Sequence, residues 1–207
     1  TIKHCLKQAS ILLAISLALT LNTSFAAEKT PSKTQTLAEY SMHYEAEVEG
    51  FDVKIERQLK ALGNNQYRVE QTAKAALMRL IERSQFTIKD GQLQTNDYSY
   101  LRKVWGFNRE YEITWQSPVA ATHRYKKEKT QLHSEANLYS LLSYQTEIRR
   151  RLLAGNQDLH LDLISKDRVR EYHFDVAGEE TIKTTAGELR TVKIVRNRPG
   201  KDKKTTI

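Results

Sequence analysis

The feature that most constrains this chain is a two-residue alternation of apolar and polar side chains. Tyr40, Met42, Tyr44, Ala46 and Val48 alternate with Ser41, His43, Glu45, Glu47 and Glu49. Successive side chains of a strand point to opposite faces, so this segment predicts a strand with one apolar and one polar face. Phe51, Val53 and Ile55 continue the pattern beyond Gly50, which predicts a hairpin turning near that glycine. Gly63-Asn64-Asn65 is a turn leading to a strand from Gln66, with Tyr67, Val69 and Gln71 on one side. Residues 84–90 alternate through Phe86 and Ile88 and end at Asp90-Gly91, a strong hairpin signal. Leu93 and Thr95, then Tyr98 and Tyr100, form the next strand. Gly106 separates it from Phe107, Arg109, Tyr111, Ile113 and Trp115, which share a face until Ser117-Pro118. A more basic strand is predicted over 119–127.

One segment has the period of a helix instead. Leu138, Leu141, Leu142, Gln145, Ile148 and Leu152 fall on one stripe, which predicts a helix at about 136–154. Ser134 or Asn137 is the expected cap, and Arg149, Arg150 and Arg151 suit the negative end of the helix dipole. Gly155 is the expected C-terminal stop. Strands then resume at Leu159, Leu161 and Leu163, at 169–176, at 180–184 and at 189–196, with turns at 185–188 and 198–202. The last hairpin would leave its first arm largely unpaired, because only Thr205-Thr206-Ile207 follow. The prediction is a mainly β protein: an antiparallel curved sheet or barrel-like fold with one packed α-helix. Its C-terminus is expected to be truncated before one or two closing strands.

The N-terminus reads as an address. Lys3 and Lys7 precede an apolar run from Ile11 to Leu21, and Ser24 and Ala26 stand at the −3 and −1 positions of a cut before Ala27. That is the three-part pattern of a secretory signal peptide, and the run is too short to span a bilayer. The expected organisation is a signal peptide at 1–26, a flexible polar leader at 27–38 carrying Pro31, and a single β-rich domain at 39–207. The expected location is the periplasm. Cys5, the lone cysteine, lies ahead of the apolar run, on the wrong side for lipid attachment at the cut. No membrane anchor is expected after cleavage, and a disulfide-stapled scaffold is excluded. Lys3 and Lys7 are the only acidic or basic side chains in 1–26 apart from His4, so the +8 surplus of the whole chain becomes +6. That surplus suits an envelope lipid, an acidic glycan or simply a soluble mixed surface; nucleic acid is not expected outside the cytoplasm.

The run from Val169 to Ile194 resembles the exported bacterial domain of unknown function 3108 family. Its most telling parts are Gly178-Glu179-Glu180-Thr181, Thr185-Ala186-Gly187 and Thr191-Val192-Lys193. The opening Tyr44-Glu45-Ala46-Glu47-Val48-Glu49-Gly50-Phe51 is similar to the start of the family, and the resemblance covers about 40–207. It implies a periplasmic location, an antiparallel barrel-like or curved-sheet fold and further strands after the last hairpin. It implies no agreed activity and no catalytic residues.

No nucleophile elbow, phosphate loop or dinucleotide glycine pattern occurs, and no cofactor or metal is expected. His160 with Asp162, and His173 with Asp175, share strand faces. A hydrolase would need His160, Asp162 and His173 to converge in one pocket. Glu45 with Glu47 and Glu179 with Glu180 would need to face each other across a cleft. One cluster is suggestive: Tyr98, Tyr100, Arg102, Trp105, Phe107, Arg109 and Tyr111, with Lys103 and Trp115 nearby. Aromatic rings contact sugar faces or acyl chains, and arginines hold acidic head groups. The same alternation would also arise from an aromatic-lined interior with basic residues outside. The expectation is a non-enzymatic module binding a lipidic or glycan envelope component; the alternative is an envelope interaction or assembly protein that binds another protein.

Overall fold

The computed structural model describes residues 37–48, 50–185, 187–197 and 205–206, all within the compact unit Thr34–Ile207. The signal-peptide pattern at 1–26, the leader at 27–36 and the turn at 198–202 lie outside the described residues. Eight strands follow one another in a meander: β1 Tyr40–Val48, β2 Phe51–Gly63, β3 Gln66–Ala75, β4 Met78–Lys89, β5 Gln92–Val104, β6 Phe107–Ser117, β7 Ala120–Tyr125 and β8 Glu128–His133. Each is antiparallel to its chain neighbour, so they form one sheet in sequence order. A second sheet follows, built from β9 Leu138–Tyr139, β10 His160–Ser165, β11 Arg168–Thr184, β12 Gly187–Asn197 and β13 Thr205–Thr206. Its order is β13-β12-β11-β10-β9. Only β9 and β10 pair in parallel, and the helix α1, Ser143–Leu153, is the crossover between them. A parallel pair needs such a connection because a tight turn can only reverse the chain.

The alternation explains the core. Leu59, Val69, Phe86, Leu93, Ile113 and Ala121 come from the inner face of the first sheet. They share one hydrophobic cluster with Leu138, Leu142 and Ile148 around the helix and with Leu161, Leu163, Phe174 and Ile194 of the second sheet. The helix contacts both sheets: Arg57 of β2 donates to the Gln145 side chain, and the Tyr144 ring stacks on Phe174 of β11 at 5.8 Å. Leu37, placed by sequence in the flexible leader, is buried and donates its N–H to the Tyr67 hydroxyl at 3.3 Å.

Several boundaries differ from the sequence reading. The helix starts at Ser143, not near 136, because Leu138 and Tyr139 are taken by β9. Neither Ser134 nor Asn137 caps it. Ser140 does the work instead: its hydroxyl accepts from the N–H groups of Leu142 at 3.3 Å and Ser143 at 2.9 Å. At the other end Gly155 adopts φ +74° and donates to the Leu152 carbonyl, the stop expected there. The switch from odd to even positions between Thr95 and Tyr98 is a bulge, with Asn96 left out of the pairing between Gln85–Asp97 and Phe86–Thr95. A second bulge at Ala177 lets 169–176 and 180–184 run as one strand, β11. Strand β8 was not expected; only Leu132 of its six residues is buried, which hides the alternation.

Candidate functional site

The aromatic and basic cluster read from sequence does not form one cavity. Tyr98 and Tyr111 are interior side chains, 1% and 5% exposed. Tyr100 stacks on Tyr111 with ring centroids 4.6 Å apart, and the Arg109 guanidinium lies 5.9 Å from Tyr111 and 5.5 Å from Tyr125. Trp105 and Phe107 are 78% and 83% exposed, at the tip of the β5–β6 hairpin. The alternative arrangement, with basic residues all outside, also fails in part. Arg102 pairs with Arg109 in register, and Tyr100 with Tyr111, so these four share a face.

Behind the tyrosines is a buried polar group. Glu82 of β4 is 7% exposed, accepts from the Tyr98 hydroxyl and accepts from Gln71 at 3.3 Å. Burial raises its carboxyl pKa, against the pull of Tyr98 and Arg57. Burial likewise pushes the Tyr111 hydroxyl up to about 12 and Tyr98 further. The two tyrosine hydroxyls are therefore not poised for proton transfer near neutrality.

The histidine and acid pairs are surface features. His160 and His173 are cross-strand neighbours whose rings stack at 4.1 Å, and their ionic neighbours are Asp158 and Glu171, each at 3.7 Å. Asp162 is taken by the Ser134 hydroxyl. His160 and Asp162 line a shallow polar cleft that His173 does not reach, so the three do not converge. Glu179 and Glu180 point to opposite faces of β11 and pair separately with Arg190 and Lys193. Among the described residues, no group of three or more His, Cys, Asp or Glu side chains could hold a metal ion.

A roomier concavity than these lies elsewhere. Tyr40 and Met42 of β1, Ile148 and Leu152 of α1, and Val192 and Ile194 of β12 line a cleft of about 610 Å³. Its walls are mainly apolar side chains, and its volume is typical of sites for small organic ligands. Three guanidinium groups, from Arg57, Arg149 and Arg190, edge it. Arg57 is 6% exposed and donates to the Leu142 carbonyl at 3.5 Å, while its Nε has no hydrogen-bond partner. The buried Thr146 hydroxyl on the same cleft is also unpartnered. Arg149 lies 5.9 Å from the Tyr40 ring, and Arg190 is held by Glu179. Sequence reasoning missed this cleft. The half-exposed apolar face of β1, with Met42 45% and Tyr44 41% exposed, was its one local trace.

The family model described as Protein of unknown function (DUF3108) matches residues 39–207. The chain belongs to this family. The match spans both sheets and the helix, so the cleft is formed wholly by residues inside the family domain. No curated protein matches. Among solved structures, a β-barrel-like protein of domain of unknown function DUF1849 from Brucella abortus is similar with a TM-score of 0.47 and 10% sequence identity, covering 77% of this chain and 78% of that one.

Proposed function

We propose that this member of the DUF3108 family is an exported, periplasmic binding module whose cleft between β1, α1 and β12 takes an amphipathic ligand: an acyl chain with an anionic head group. The observation that carries the reading is the pairing of apolar walls with guanidinium groups at one cleft. An acyl chain placed against Met42, Ile148, Leu152 and Val192 is removed from water, at roughly 0.8 kcal/mol per buried methylene. Guanidinium groups present paired donors that match carboxylate and phosphate oxygens. Arg149, beside the Tyr40 ring, and Arg190, paired with Glu179, stand at the cleft for a head group to meet. The signal-peptide pattern of 1–26 supports the envelope as the place where such ligands are met.

Mass spectrometry of lipids extracted from the purified protein tests this directly. Val192 is 43% exposed, so Val192→Asp leaves the fold intact while setting a carboxylate against both the chain and its head group. The expected result is loss of at least tenfold in fatty-acid affinity, with Val192→Leu near the parent value. Equal binding by both variants, or no lipid in the extract, overturns the reading.

A second reading rests on one observation. Beyond the Ala177 bulge the β11–β12 ribbon is almost wholly exposed, and Ile182 and Leu189, directly paired, are 42% and 47% exposed. An apolar pair on a projecting ribbon suits contact with another protein of the envelope. Photo-crosslinking from position 182 in cells tests it: capture of one discrete protein is the expected result.

A further inference from the structure

In a meander, alternate hairpin turns lie at the same end of the sheet. The two ends of this sheet differ in chemistry. One end is the more polar: the β2–β3 turn is Asn64-Asn65, with Leu62 41% exposed just before it, the β4–β5 turn is Asp90-Gly91, and the β6–β7 connection is Pro118-Val119 after Ser117. The other carries Phe51 beside the β1–β2 turn, Leu77 in the β3–β4 turn and Trp105 and Phe107 at the β5–β6 turn. These are 59%, 58%, 78% and 83% exposed. The backbone N–H of Trp105 donates to the Leu77 carbonyl at 3.3 Å, so two of the tips touch.

The backbone at Trp105 adds weight. Trp105 and Gly106, at φ +32° and +81°, are the two central residues of a turn flanked by the Val104–Phe107 pair. Positive φ at both positions is the geometry that asparagine followed by glycine adopts with least strain. The polar end uses Asn64-Asn65 and Asp90-Gly91 in that way. A tryptophan in the same place is strained and holds a large ring in water, and strain of that kind collects at functional positions.

Beside the first of these tips Glu47 and Asp52 face each other across β1 and β2, and beyond it the charges lean positive. Lys54, Lys74, Arg79 and Lys103 stand directly opposite one another on β2, β3, β4 and β5, a row of four cations on one face. All four are exposed. Like charges directly opposite on neighbouring strands repel. Lys54 and Lys74 have carboxylates near them, Glu45 at 3.7 Å and Glu56 at 3.6 Å. Arg79 and Lys103 form no salt bridge among the described residues. The next hairpin of the same end adds Lys126 and Lys127 at its turn.

We propose that this end of the first sheet docks on an anionic lipid surface, with Trp105, Phe107 and Leu77 entering the head-group layer and the cation row facing lipid phosphates. Aromatic rings with a polar edge favour that layer, and each lysine or arginine held near an anionic surface strengthens binding severalfold. The surface is separate from the cleft, so Val192→Asp leaves docking unchanged and failure of one proposal does not carry the other.

Trp105 is itself the probe, since the other tryptophan, Trp115, is buried. The full chain is mixed with vesicles of phosphatidylglycerol and phosphatidylcholine, with and without brominated acyl chains. A blue shift and bromine quenching of Trp105 emission are expected, weakening with salt and absent with phosphatidylcholine alone. Trp105→Phe identifies the source of the signal. Trp105→Asn is read by co-sedimentation: binding falls at least tenfold while the thermal midpoint holds or rises, because the turn is relieved. Arg79→Gln with Lys103→Gln, at the same tips, lowers binding by on the order of tenfold to thirtyfold. Binding without a Trp105 shift, equal binding to neutral vesicles, or no binding overturns the proposal.

Discussion

His123 sits on β7 with 5% exposure, its ring 5.1 Å from that of Tyr111 and its Nε2 without a hydrogen-bond partner. Burial lowers its pKa below the ordinary 6.5; Arg109 lowers it further, while Asp167 opposes both. The folded protein therefore binds fewer protons here than the unfolded chain. Stability from this group is whole above 6.5 and is lost as pH falls from there through the lowered folded value. Urea denaturation at pH 7.5 and 5.5 is expected to show a loss on acidification that His123→Phe reduces, since phenylalanine keeps the ring and removes the proton. None of this was legible in sequence, where His123 is one of several histidines on polar-looking strands. Its burial depends on Tyr111 arriving from β6, a contact no local pattern announces.

At the scale of elements, the start of α1 depends on a knot of buried hydroxyls. Ser140 accepts from two backbone N–H groups and donates within a set formed by Ser84 of β4, Ser143 and Thr95 of β5, each contact about 2.9 Å. Ser140→Ala leaves buried donors unmet at roughly 1–3 kcal/mol each, so a loss of about 2–3 kcal/mol in urea unfolding is expected. Ser140→Thr, which keeps the hydroxyl, loses less. The sequence showed that a helix lay in this region and that Gly155 stopped it, because the stripe and the glycine are local. It misplaced the start because Leu138 continues the stripe while its backbone is claimed by β10 through Asp162. The three arginines were read as dipole partners. Arg150 and Arg151 do stand in the last turn, and they also grip buried Glu147 at 2.7–2.9 Å, while Arg151 reaches the carbonyls of Asp158 and His160, tying the helix to the next strand. The meander was legible because Gly50, Asn64-Asn65, Asp90-Gly91 and Gly106 punctuate a plain alternation. Polar β8 was not.

For the whole molecule, stability is unevenly spread. Leu161, Leu163 and Ile164 of β10, a strand between β9 and β11, are buried, 0–4% exposed. The outer β11–β12 ribbon has hydrogen bonds but almost no buried side chains beyond Ala177. Backbone amides of β10 are expected to exchange with deuterium slowest, and those of 179–183 and 188–192 fastest among paired strands, read by NMR or mass spectrometry. The candidate cleft lies where these two regimes meet. It draws side chains from β1, α1 and β12, and β1 ends at Val48, far ahead of the start of α1 at Ser143 and of β12 at Gly187. That distance is why sequence pointed to the adjacent aromatics of β5 and β6 rather than to it.

The pairing of each of the first eight strands with its chain neighbour has a consequence in time. Every one of those pairings closes a short loop, at small entropic cost, so the first sheet can grow hairpin by hairpin without waiting for distant partners. Its inner face cannot be finished in the same way. Leu59, Phe86 and Ile113 stay wet until Leu138, Ile148 and Leu163 reach them across the chain. The expectation is an early zippering of hairpins and a later closing step, with exposure of this inner face to other chains greatest between them; stopped-flow refolding with a dye for exposed apolar surface checks it.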